Sequence, residues 1–72
     1  MNRQYVDSSM IASIGYDVST ATLEVEFKGG AVWDYPGVPE YLWHEFMAAG
    51  SKGKFFNQNI KEQYTPSGYR VM

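Results

Sequence analysis

Between residues 22 and 35 the chain alternates apolar and polar residues, breaks once at Gly29-Gly30, and alternates again. Leu23, Val25 and Phe27 are interleaved with Thr22, Glu24, Glu26 and Lys28. This period of two gives an extended strand one apolar and one polar face. The two glycines supply the positive φ of a tight reversal, so residues 31–35 return antiparallel to that strand. On the returning strand Trp33 and Tyr35 share one face and Asp34 takes the other. A two-residue loop, Gly29-Gly30, sets Trp33 opposite Glu26 and Tyr35 opposite Glu24, which exposes both rings as a stacking platform. A three-residue loop, 28–30, sets them opposite Val25 and Leu23, which buries them. The first register puts Asp34 on the core side, at a desolvation cost unless it is paired. The residues leave both registers open.

Upstream, Met10, Ala12, Ile14 and Tyr16 alternate with Ile11, Ser13 and Gly15, a first strand with apolar groups for both faces and a bend or bulge at Gly15. Asp17-Val18-Ser19-Thr20 has the short polar side chains of a turn. Downstream, Pro36, Gly37 and Pro39 stop the third strand, and Pro39 suits a helix start because its missing N–H needs no partner there. Leu42, Phe46 and Ala49 then recur at i, i+4 and i+7, with Trp43 and Met47 widening the stripe, so a helix is expected from Pro39 to about Ala49. Gly50 stops it. Ser51, or alternatively Asn57, caps a second helix reaching about Lys61, with Phe56 and Ile60 on one face. Thr65-Pro66-Ser67-Gly68 reads as a turn into a tail that frays unless Tyr69 or Val71 docks. The expected fold is α+β, a three-stranded antiparallel meander followed by two short helices packed on one face.

The 72 residues form one domain, residues 1–72, with a core from about 6 to 64 and a tail at 65–72. The chain has no Cys, so neither a disulfide nor a Cys-built metal site staples it, and its twelve aromatic residues must supply much of the burial. No apolar run approaches the roughly 18 residues of a membrane span, and no signal-peptide core follows the first residues, so a cytoplasmic address with no membrane partner is expected. The formal charge of -2 is unevenly distributed. Residues 1–50 carry two cations and seven carboxylates, whereas residues 51–72 carry Lys52, Lys54, Lys61 and Arg70 against Glu62 alone. An acidic protein thereby retains a basic end able to meet phosphates.

Catalytic chemistry finds little support. His44, the single histidine, follows Glu40 by four residues and reads as half of a solvent-facing helical pair. Ser8-Ser9 has no activating partner or strained elbow and reads as turn hydroxyls. Scattered carboxylates give no metal-ligand spacing, and no cofactor is implied. Gly50-Ser51-Lys52-Gly53 matches the Gly-x-x-Gly loop by which KH domains clamp a nucleic-acid backbone, but the preceding meander is not the KH order and the stretch reads first as a helix-stop glycine followed by a capping Ser51. A Walker loop is absent, which excludes nucleotide hydrolysis of that type. Asn57 and Asn59 read as helix-capping amides.

Ser8-Ser9-Met10-Ile11, Gly15-Tyr16-Asp17, Leu23-Glu24-Val25-Glu26-Phe27, Val38-Pro39, Ala49-Gly50-Ser51-Lys52-Gly53, Phe56-Asn57 and Ile60 resemble the KTSC domain, found at the C-terminus of some lysyl-tRNA synthetases and as a stand-alone bacterial protein. The resemblance runs from Val6 to Tyr64. The family's central Tyr-x-Tyr is Trp33-Asp34-Tyr35 here, which keeps an aromatic pair and loses one phenolic hydroxyl. The resemblance implies a domain without an established function, for which RNA binding is suggested by its attachment to a synthetase. The sequence-based reading is a non-enzymatic binding module for RNA or a ribonucleoprotein, with Trp33 and Tyr35 stacking on bases and Lys52, Lys54, Lys61 and Arg70 contacting phosphates. The alternative is association with another protein or with itself, using the same rings as apolar anchors.

Overall fold

A computed structural model describes residues 3–66 in full and the backbone strand at 68–71. The chain order is β1 (Arg3–Tyr5), β2 (Ile11–Asp17), β3 (Thr22–Phe27), β4 (Ala31–Pro36), α1 (Glu40–Ala48), α2 (Lys52–Asn59) and β5 (Gly68–Val71). All five strands form one antiparallel sheet in the spatial order β1-β2-β3-β4-β5. The α+β class, the meander and the two following helices agree with the sequence reading. The sheet has five strands rather than three, because β1 and β5 pair along its two edges. β1 carries no apolar alternation and β5 only the pair Tyr69 and Val71, too short a signal to mark a strand by itself; each pairs through its backbone with the adjacent strand. Residues 68–71, expected as a tail, align along β4 with Ala31 opposite Val71 and Asp34 opposite Gly68.

The β3–β4 hairpin adopts the longer loop. Leu23 faces Tyr35, Val25 faces Trp33 and Glu26 faces Val32. The Gly30 N–H donates to the Phe27 carbonyl at 2.9 Å, and Gly30 alone of the two glycines has positive φ, +100°. One turn closed at Phe27 followed by one left-handed residue makes a three-residue loop, whereas a two-residue primed turn of the first kind needs both central residues at positive φ.

On β2 the irregularity expected at Gly15 as a bend or bulge lies instead at Ala12, as a bulge. Ile11 pairs with Phe27 but Ser13 already pairs with Glu26, so Ala12 is the extra residue. The bulge brings Ile11 onto the same face as Ile14, and both are fully buried. Cross-strand rows Ile14–Val25–Trp33 and Tyr16–Leu23–Tyr35 follow on that face. Leu42 and Phe46 of α1, with Phe56 of α2 and Ile60 after it, complete the same core cluster. Phe46 is fully buried and stacks on Phe55, centroids 5.2 Å apart, which ties the two helices together. Phe27 is only half-buried.

Helix α1 begins one residue later than expected, with Pro39 in the cap position and Glu40 in the first turn. The Ser51 Oγ accepts the Lys54 N–H at 3.4 Å and caps α2, which settles against Asn57 as the cap. Asn59 sits at the other end and donates from Nδ2 to the Phe55 carbonyl.

The opposite sheet face is less solvated than alternating Glu24 and Glu26 imply. Glu24 is 5% exposed and its Oε1 lies 2.6 Å from Arg3 Nη1. Arg3 pairs with Gly15, and Gly15 with Glu24, so the guanidinium reaches its carboxylate across a residue without a side chain. Beside them the Ser13 hydroxyl donates to Glu26 at 2.7 Å.

Phe46→Ala is expected to cost about 3–5 kcal/mol and to unfold much of the population; a denaturant melt shifted by less than about 1 kcal/mol contradicts the packing assigned to it. Ala21 stands at φ 53° while its carbonyl accepts the Val38 N–H at 3.0 Å. Ala21→Gly relieves a left-handed cost of about 1–2 kcal/mol against an entropic penalty of about 0.5–1, so denaturant melts should show a net gain of about 0.5 kcal/mol.

Candidate functional site

The hairpin register turns Trp33 and Tyr35 toward the helices, and this corrects the reading of an open aromatic platform. Tyr35 is 5% exposed and meets Phe56 edge-on, centroids 5.7 Å apart. Phe27 meets the same ring from another side at 5.3 Å. Trp33 is half-buried against this cluster. Together they line an apolar cleft of about 360 Å³ whose other lining residues are Met10, Asn57, Lys61 and Pro66. The rings therefore form part of a concave wall between sheet and helix, with a cation beside it. Aromatic walls with a few polar groups at the edge suit a flat, partly polar ligand.

A second cleft, of about 480 Å³, adjoins the first at Met10 and Asn57. It is polar and is lined by Asp7, Ser8, Ser9, the loop Gly50-Ser51-Lys52-Gly53, and Lys54. Ser8 is committed to local structure: its Oγ accepts the Met10 and Ile11 N–H groups, both at 3.2 Å, and shapes the entry to β2. Gly53 packs against this turn, for a Cβ there would meet Met10 Cε at 3.5 Å. The Gly-x-x-Gly stretch is thus the elbow between α1 and α2, read correctly as a helix stop and cap.

The basic residues divide. Lys61 is exposed at the apolar cleft and Lys54 is exposed at the polar one. Lys52 also lines the polar cleft, but its Nζ donates to the Ala49 carbonyl and so closes the C-terminus of α1. Arg70 falls on β5, backbone to backbone with Val32; its side chain lies outside the described residues. Sequence reasoning missed Met10 and Asn57, the two residues shared by the clefts. Nothing in their chemistry or spacing singled them out, although both lie within the stretches that carry the KTSC resemblance. Asn57, expected as a cap, is exposed on α2, and its side-chain amide makes no hydrogen bond among the described residues.

Outside the clefts, His44 Nε2 lies 3.3 Å from Glu40 Oε2 with both side chains exposed, as the helical spacing implied. Among the described residues no three His, Asp or Glu side chains gather to hold a metal ion, and no helix is long and apolar enough to cross a membrane.

Two buried-side phenols respond to this packing. Burial pushes the Tyr35 hydroxyl above the ordinary tyrosine pKa, and burial followed by the nearby Glu40 charge does the same for Tyr16, which donates to the Val38 carbonyl. A raised folded-state pKa means that the neutral phenols contribute fully below the unfolded value of about 10 and lose that contribution as pH rises through the folded value. Alkaline melts should therefore show stability falling above about pH 10, and Tyr35→Phe should flatten the fall while leaving neutral-pH stability within about 0.5 kcal/mol.

The KTSC domain family model matches residues 7–64. A crystal structure of a KTSC domain protein from Yersinia pestis superposes with a TM-score of 0.87 at 42% identity, covering 99% of this chain and 96% of the other. An uncharacterized protein of Stutzerimonas stutzeri is 41% identical over 64 residues, 89% of this chain and 90% of its own length. A lysine–tRNA ligase of Nostoc punctiforme is 36% identical over 58 residues, which make up 81% of this chain and 10% of the ligase.

Proposed function

This chain belongs to the KTSC domain family, and we propose that it is a small non-enzymatic module that binds single-stranded RNA in the paired clefts beside α2. The observation that carries this reading is the junction at Met10 and Asn57, where an aromatic cleft with Lys61 meets a polar cleft with Lys52 and Lys54. A nucleotide has the same two parts, an apolar planar base and an anion one sugar away. Trp33 offers a ring to the base, Lys61 stands beside it, and Lys54 meets the phosphate. The first-turn N–H groups of α2 point the same way electrostatically, since a helix start favours negative charge. The stretch of a tRNA ligase that this chain resembles is consistent with an RNA ligand by association.

Single-stranded RNA rather than duplex fits these clefts, because a base enters an aromatic cleft only when it is unpaired. A titration of isotope-labelled protein with mixed-sequence single-stranded RNA should shift the resonances of Met10, Trp33, Asn57 and Lys61, and should weaken at high salt. Lys54→Ala, which removes the phosphate contact, should flatten the salt slope by about 0.7, and Lys61→Ala should flatten it by less. Trp33→Ala should cost about 1–3 kcal/mol of binding under conditions where melts show the variant folded. Absence of RNA binding at low salt overturns the reading and puts protein association through the same apolar cleft ahead.

A further inference from the structure

We infer that the site takes one nucleotide unit at a time, seating one base in the aromatic cleft and one phosphate in the polar cleft, with Asn57 between them; this rests on the RNA reading above. The rings converge instead of lining up. Phe27 and Tyr35 both turn edge-on to Phe56, at 5.3 and 5.7 Å, and Trp33 joins them in a single cleft of about 360 Å³. A tract of bases needs successive rings spaced along a groove, and these present one concave wall.

The charge supply leads to the same site size. Arg3 is held by Glu24 on the far sheet face, and the Lys52 ammonium is held by the Ala49 carbonyl. Lys54 and Lys61 are left as the exposed cations lining the two clefts among the described residues. Asp7 lines the polar cleft with Lys54, and its carboxylate limits the anionic charge that cleft takes. A binding track for several phosphates needs a cation for each, so a single-phosphate site should show a slope of log affinity on log salt of about −0.7 to −1.4.

Asn57 stands where base and phosphate cleft meet, and its amide is unengaged among the described residues. It offers a donor and an acceptor together, the combination that pairs with a base edge or a ribose hydroxyl. The side chain is exposed on α2, so its replacement tests the ligand contact with little effect on the core.

The test titrates the full chain with the four 5′-ribonucleoside monophosphates, the matching nucleosides, and mixed-sequence oligoribonucleotides of two, four and eight nucleotides, at low and high salt. The expected result is that at least one monophosphate shifts the Met10, Trp33 and Asn57 resonances, that its nucleoside binds at least tenfold more weakly, and that affinity per nucleotide stays within about threefold from one unit to eight. Asn57→Asp should weaken the monophosphate at least tenfold while the melt is unchanged. An affinity per nucleotide that climbs more than tenfold with length, or a salt slope steeper than about −3, overturns the single-unit site while leaving RNA binding intact. No response to any of these probes overturns both.

Discussion

One backbone dihedral, the positive φ of Gly30, sets the face on which Trp33 and Tyr35 lie. With Gly30 left-handed and its N–H on the Phe27 carbonyl, the β3–β4 loop holds three residues, and Trp33 and Tyr35 fall opposite Val25 and Leu23. One residue fewer in the loop would turn both rings away from the helices and bring Asp34 toward the core. Phe56 then would lose the Tyr35 edge contact, and the apolar cleft would lose two of its walls. Core and candidate site share a single register decision.

The same economy appears on β2. The Ala12 bulge lets Ile11 and Ile14 point into one core although their spacing in an ideal strand places them on opposite faces. Three residues after the bulge, Gly15 leaves room for Arg3 to cross to Glu24, which couples the edge strand to the centre of the sheet. The guanidinium that reaches Glu24 offsets the cost of holding a carboxylate at 5% exposure.

The elbow between the helices shows how one short segment carries two demands. Ser51 caps α2 while Lys52 reaches back to the Ala49 carbonyl in the C-cap position of α1, so two adjacent residues close both helices. That geometry spends Lys52 on structure and leaves Lys54 and Lys61 outward, splitting a charge cluster that is continuous in composition. Net charge located the basic end of the molecule; hydrogen bonding decided which members of it stand exposed at the clefts.

The sequence by itself determined the elements whose signal is local. The alternation around Leu23, Val25 and Phe27, the helical stripe of Leu42 and Phe46, the Ser51 cap and the exposed Glu40–His44 pair all follow from side-chain period and short-range hydrogen bonding. The KTSC resemblance was legible for the same reason, in short runs of adjacent residues. Tertiary structure alone decided the register of the aromatic pair, the two edge strands, the burial of Glu24 and the meeting of two clefts at Met10 and Asn57. The edge strands, the buried Glu24 and the meeting of the clefts join residues far apart in the chain, and the hairpin register, though local, is selected by the packing of its apolar face. Periodicity says that a strand has two faces; only packing against the rest of the molecule says which one is inside.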